Sequence, residues 1–141
     1  MTNKTLLLSI RPKYAIKIFN GEKKVELRKV RPQLSQGDTV LVYVSSPVKQ
    51  LQGIFVVESI SEAMPEQLWS QVKDIAGVSK QEFDDYYAGS KKSYGIFLKS
   101  PQTLINPISL IDLRKLWRNF HPPQSYRYLS TFELTMISLP S

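Results

Sequence analysis

Apolar and polar positions along this chain change period several times, and each change marks an element. Leu6 to Ile10 is a short apolar run that reads as a buried first strand. Pro12 suits the first turn of a helix and Gly21 its left-handed stop. Between them Ala15, Ile16 and Phe19 are expected to face the core, with Lys13 and Lys17, four apart, on the wet side. From Lys24 to Val30 the period drops to two. Val25 and Leu27 are predicted to enter the core, while Lys24, Glu26 and Arg28 share the opposite face of a half-buried strand. Pro32 ends that run, and Gln36-Gly37-Asp38 makes a turn. Thr39 to Val44 is expected to be a strand buried on both sides, closed by Ser45-Ser46-Pro47. Leu51 to Ile60 follows as a longer strand, in which Gly53 marks a bulge or a close approach of backbone.

The next segment is helical and acidic. Pro65 opens a helix that ends near Gly77, with Leu68, Trp69 and Val72 as its apolar stripe. Ser79 with Glu82 forms a capping box, so another helix runs to about Ala88 and stops at Gly89. This stretch carries Asp84, Asp85 and an aromatic cluster of Phe83, Tyr86 and Tyr87. Ser93 to Leu98 reads as a strand, and Ile105 to Leu110 as the last strand, interrupted at Pro107. Asp112 to Trp117 is a helical turn, and Gln124 to Leu129 is read as a short helix. Strands interleaved with helices at irregular spacing predict an α+β fold and not a doubly wound sheet. Residues 1–141 are expected to form a single domain with a helical insert at about 64–89.

Composition narrows the chemistry. The 141 residues include no cysteine and one histidine, which excludes disulfides, thiolate metal sites, cysteine nucleophiles and histidine-based metal clusters. Phosphate-binding glycine loops, serine nucleophile elbows and dinucleotide fingerprints are absent from the sequence, so no cofactor is expected. No apolar stretch approaches the roughly 18 residues of a spanning helix, nor is the run after Met1 long enough for a secretory signal. The expected location is the cytoplasm, with no membrane partner.

Charge adds a direction. The net charge of +7 is concentrated in residues 1–50, which carry +7, against −2 for residues 51–100 and +2 for residues 101–141. A localised basic surface attracts polyanions, of which phosphate backbones are the commonest.

That basic third contains the run Gly21-Glu22-Lys23-Lys24-Val25-Glu26-Leu27-Arg28, which spells G-x-K-x-x-E-x-R. The run resembles the signature of the ASCH family, a branch of the PUA-like pseudobarrels. Leu6-Leu7-Leu8-Ser9-Ile10-Arg11-Pro12 resembles the family's opening strand, and the segment from Tyr14 to Asn20 the helix leading to its glycine. Val42 to Pro47 and Pro122 to Leu129 look like a single-domain bacterial, archaeal or phage subfamily. The resemblance implies a PUA-like β-pseudobarrel with flanking helices and an RNA-related role, since such folds mostly bind RNA or modified nucleobases and a few members are hydrolases. One branch comprises acetylcytidine amidohydrolases that use a lysine and a threonine of the signature. Lys23 matches that lysine, but Glu26 stands at the threonine, and a carboxylate is no substitute for a hydroxyl nucleophile.

The candidate residues follow from both lines. Lys23 is a compact cation for phosphate or a base carbonyl, and a catalyst only if burial lowers its pKa. Glu26 is either an acceptor for a base amino group or an internal partner for Lys23 and Arg28. Arg28 is a planar fork for phosphate or base, or the other half of a buried pair. Arg11 begins the first helix, where free amides favour anions. Ser45 and Ser46 end a core strand. Gln124, Ser125, Arg127 and Tyr128 lie in a polar-aromatic segment in which two tyrosines flank an arginine, a pattern suited to stacking on unpaired bases or simply to packing. Trp69 and Trp117 are read as core, and His121 as a turn residue. The expected partner is RNA or a modified nucleotide. If the protein is an enzyme, Lys23 and Glu26 are the acid–base pair. Whether it is one, and its oligomeric state, stay open.

Overall fold

The computed structural model describes residues 3–140. Its elements, in chain order, are β1 (Thr5–Ile10), α1 (Pro12–Phe19), β2 (Val25–Arg28), β3 (Thr39–Val44), β4 (Gln50–Ala63), α2 (Pro65–Val72), α3 (Lys80–Tyr87), β5 (Ser93–Ser109), α4 (Leu110–Leu116), β6 (Tyr126–Tyr128) and α5 (Thr131–Thr135). The strands form a six-stranded mixed sheet in the order β2-β5-β4-β3-β1-β6. Among the described residues only β1 and β3 pair in parallel, and the crossover between them carries α1 and β2.

The sheet curls into a half-barrel because its two long central strands are bulged. Register shifts interrupt the β4–β5 ladder at Leu51/Gly53, Ile54/Val56 and Val57/Ser59, and each bulge adds bend and twist. A Cβ on Gly53 would lie 2.5 Å from both the Gln102 carbonyl oxygen and the Phe19 ring, so this glycine serves the bulge and the close approach together. The curl carries β2 back to β1 although three strands separate them in the sheet. The Nη2 of Arg28 donates to the Ser9 carbonyl at 3.3 Å across that seam.

Three apolar clusters hold the layers. Leu6, Leu8, Ile10, Val40, Val42, Val44, Phe55 and Ile96 fill the inside of the curl beneath Ala15 and Ile18 of α1. Leu7, Leu41 and Tyr43 pack on the other face against Leu113, Trp117 and Phe120. Val25 and Leu27 pack under Leu68 and Val72 of α2 and Phe83 and Tyr87 of α3. The period-two strands, α1, α3 and the capping box of Ser79 with Glu82 thus lie where the pattern placed them, whereas α2 stops at Val72, short of the expected end near Gly77.

Several expectations need correction. Residues 124–129 are not a helix: Tyr126 to Tyr128 form β6, antiparallel to β1, with Leu6 opposite Tyr128 and Leu8 opposite Tyr126. The tyrosines alternate with Arg127 at period two, and the apolar face of β1 captures them. The helical signal lies one step later, where Ser130 and Glu133 form a capping box that starts α5. The expected strands at 93–98 and 105–110 are the two ends of one bent strand, β5, and Leu110 already belongs to α4. On α1, Ile18 takes the core position expected for Ile16, which is 65% exposed, because the helix presents its Ala15–Ile18 edge to the sheet. The signature strand stops at Arg28, and both its faces are covered.

Candidate nucleic-acid interface

The signature residues divide by strand alternation. Val25 and Leu27 face α2 and α3, whereas Glu26 lies opposite Ile96 of β5 and points toward the inside of the curl. Glu26 is therefore buried, not on a solvated face. Its Oε2 lies 2.7 Å from Arg28 Nη2, and the two side chains are 9% and 15% exposed. Arg28 also bonds the Ser9 carbonyl, while its Nε is buried without a partner. Unsatisfied buried donors are rare and call for an explanation.

Lys23 is sealed as well, at 2% exposure. Its Nζ donates to the Ala76 carbonyl at 2.6 Å and stands 5.1 Å from the centre of the Tyr14 ring. Burial pulls its pKa below the ordinary lysine value; the Glu26 carboxylate opposes that pull, and the Lys17 and Arg28 charges add to it. Gly77 makes the fit possible, since its φ is +66° and a Cβ there would meet the Lys23 Cβ at 2.9 Å. Three successive carbonyls of this linker are held by the basic segment. Lys24 N–H donates to Ile75, Lys23 Nζ to Ala76 and Lys17 Nζ to Gly77, at 2.8, 2.6 and 2.9 Å.

Around the seam the chain ends of several strands converge. Ser45 follows Val44, which is opposite Ile10, and its N–H donates to the Ile10 carbonyl at 3.0 Å. Ser9 Oγ donates to the Pro123 carbonyl at 2.6 Å, which brings Gln124 and Ser125 to the same end. Arg11, exposed, is the N-terminal cap residue of α1 next to Ile10, and Ser46, Gln124 and Ser125 are exposed too. Arg11, Ser45, Ser46, Gln124 and Ser125 thus come to the same end of β1 beside the Arg28–Ser9 seam, a candidate mouth.

Arg127 and Tyr128 do not join them. Arg127 points to the opposite face of the sheet, its guanidinium 2.6 Å from the Glu133 carboxylate and over the Trp117 and Phe120 rings. Tyr128 is opposite Leu6, four strand residues from Ile10 or about 13 Å. Its hydroxyl donates to the Gln33 carbonyl at 2.8 Å.

Sequence reasoning did not single out Lys49, which lies in the turn beside Ser45. It is an exposed, non-glycine residue at φ 53°, and its N–H reaches the Ser45 carbonyl at 3.4 Å. Non-glycine residues in that region gather at functional sites, but nothing in the sequence signals the conformation. Two surface depressions, of about 510 and 570 Å³, lie elsewhere. Lys17, Gly21, Lys24, Lys73 and Asp74 line the first, and Met64, Pro65 and Tyr87 the second. Neither is lined by Glu26 or Arg28, although Gly21 of the signature run lines the first. Among the described residues, no cluster of three or more His, Asp or Glu side chains is placed to hold a metal ion. Nor is any helix there long and apolar enough to cross a membrane.

Comparison with known proteins gives a consistent picture. The family model described as "ASCH domain" matches residues 8–105. An ASCH domain-containing ribonuclease from Zymomonas mobilis is 33% identical over 139 residues, covering 98% of this chain and 93% of that protein. The crystal structure of ASCH from Zymomonas mobilis superposes with a TM-score of 0.90 at 32% identity, covering 94% of this chain and 92% of the other. The large ribosomal subunit protein uL22 of Ureaplasma parvum is 31% identical over 129 residues, which cover 91% of this chain and only 40% of that protein.

Proposed function

This chain belongs to the ASCH domain family, and on that premise we propose that it is an RNA-binding protein. The strand lies across the mouth formed by Arg11, Ser45, Ser46, Lys49, Gln124 and Ser125. The full-length similarity to the Zymomonas mobilis ribonuclease carries this reading above any other single observation. The concentration of +7 charge in residues 1–50 supports it, because phosphate neutralisation dominates nucleic-acid affinity. Arg28, with an unpaired Nε beneath the mouth, is the donor assigned to a base carbonyl or phosphate oxygen, and Glu26 the acceptor for a base amino group. A modified nucleotide is the finer form of the same reading, since a carboxylate and a guanidinium on one strand face can read a base edge.

Cleavage of the bound strand is a second reading, favoured by that same relative. Glu26 then accepts the proton of the attacking hydroxyl as that oxygen bonds the phosphorus and the bond to the leaving oxygen breaks, the leaving oxygen taking a proton from water. The Thr-dependent amidohydrolase chemistry has no counterpart here, because Glu26 occupies that place.

End-labelled single-stranded RNA, incubated with wild type and Glu26→Gln over a salt series, tests both. A retarded band that weakens with salt is the expected result, and shortened RNA lost in the variant adds cleavage. A protein that neither retards nor shortens RNA at low salt overturns the proposal.

A further inference from the structure

The aromatic cluster of α3 joins a ring of α2. Its rings form a row: Trp69 and Phe83 have centroids 4.9 Å apart, Phe83 and Tyr87 4.7 Å, and Tyr87 and Tyr86 4.8 Å. The first three belong to the cluster beneath α2 and α3. The row ends at Tyr86, which is 40% exposed. A half-exposed ring backed edge-on by a buried one is held in place before any ligand arrives.

Its support is fixed from both sides. The Tyr87 hydroxyl shares its one proton between the carbonyls of Arg28 at 3.1 Å and Tyr94 at 3.4 Å, tying α3 to β2 and β5. Glu82 accepts from Lys13 Nζ at 2.8 Å and Tyr14 Oη at 2.9 Å, tying α3 to α1. The acidic residues around the ring are turned to other partners, Asp84 to Lys80 and Asp85 to Gln81. The charges that face Tyr86 are mostly positive. Lys29 Nζ lies 4.9 Å from its ring centre, and the Arg28 and Arg11 guanidiniums both act on its hydroxyl, against the carboxylate of Glu26.

We propose that Tyr86 is a base-stacking residue of this protein, so that its RNA ligand presents an unpaired base beside Arg28. The proposal rests on the RNA reading above and deepens it, since a base held inside a duplex has no free face to offer. An exposed Lys29 contact to the ring is weak and gives way to a base, which covers more of the ring and leaves the ammonium for the neighbouring phosphate.

The test uses a short single-stranded RNA carrying one 2-aminopurine, whose fluorescence falls when the base stacks. Wild type is expected to bind it with quenching, Tyr86→Phe to do the same, and Tyr86→Leu to bind about 5- to 150-fold more weakly with the quenching lost. Melting curves of the three proteins establish that each is folded. If Tyr86→Leu binds and quenches like wild type, the proposal falls while RNA binding stands. Binding by wild type without quenching, at every placement of the probe along the strand, overturns it without any variant. So does a fully paired duplex of the same sequence that competes as well as the single strand. No binding by wild type overturns this proposal together with the RNA reading.

Discussion

The Lys23 ammonium is bonded to the Ala76 carbonyl at 2.6 Å, which ties the signature turn to the linker between α2 and α3. A buried lysine so engaged is first of all a positioning residue. Lys23→Met keeps the stem but leaves the Ala76 carbonyl unpaired, so it is expected to cost about 1–3 kcal/mol. Urea denaturation of wild type and variant measures this. A difference near zero would show that the linker holds without the bond. Loss of RNA binding in a Lys23 variant has to be compared with this stability change before it is assigned to contact with the ligand.

Glu26 and Arg28 form a nearly sealed ion pair, so removing either partner strands a charge. Glu26→Gln and Arg28→Met are each expected to cost on the order of 3–5 kcal/mol, and the double variant less than their sum. A double-mutant cycle from denaturant unfolding reads the coupling. Strict additivity would mean that the two side chains do not depend on one another.

Glu82 supplies a pH dependence. Bonds from Lys13, the Ser79 backbone and Tyr14 hold its carboxyl down from the usual 4.5 to about 2. A depressed carboxyl stabilises the fold fully above about pH 4.5, and that contribution is lost as pH falls toward 2. The side chain is 31% exposed, so the effect is modest. Melting temperatures of wild type and Glu82→Gln are expected to differ at pH 6 and to converge near pH 2. A gap that stays constant across that range contradicts the assignment.

Arg11 is exposed at the mouth and makes no side-chain cap to its own helix. Arg11→Ala is therefore expected to leave stability within about 0.5 kcal/mol of wild type. It should weaken RNA binding while lowering the log–log salt slope by about 0.7, the value for one phosphate of a single strand. Fluorescence anisotropy over a salt series decides this; an unchanged slope removes Arg11 from the phosphate track.

The half of the fold that depends on near neighbours was legible from the chain. Pro12 and Gly21 bracket α1, and Ser79 with Glu82 starts α3, because caps and turns are settled within a few residues. The alternation of Val25 and Leu27 with Glu26 and Arg28 separated the two faces of β2 correctly. It could not say that the second face is also covered, because its cover comes from β1 and α1 through the curl. Tyr126 to Tyr128 illustrates the same limit. Three residues carry too little pattern to be assigned, and only pairing with Leu6 to Leu8, far away along the chain, makes them a strand.

For the candidate site, the chain marked the residue types and the signature spacing, and with them the family. It placed Arg127 and Tyr128 with Gln124 and Ser125 on adjacency alone. Strand pleating sends Arg127 to the Trp117 face, and the register carries Tyr128 to the far end of β1. Conversely, Arg28, Ser9 and Pro123 are distant in sequence and meet at one seam. Periodicity and capping are local energies that a chain states in order. Which of its faces meet is decided by the bulges of β4 and β5, whose bend closes the half-barrel and buries the Glu26–Arg28 pair within it.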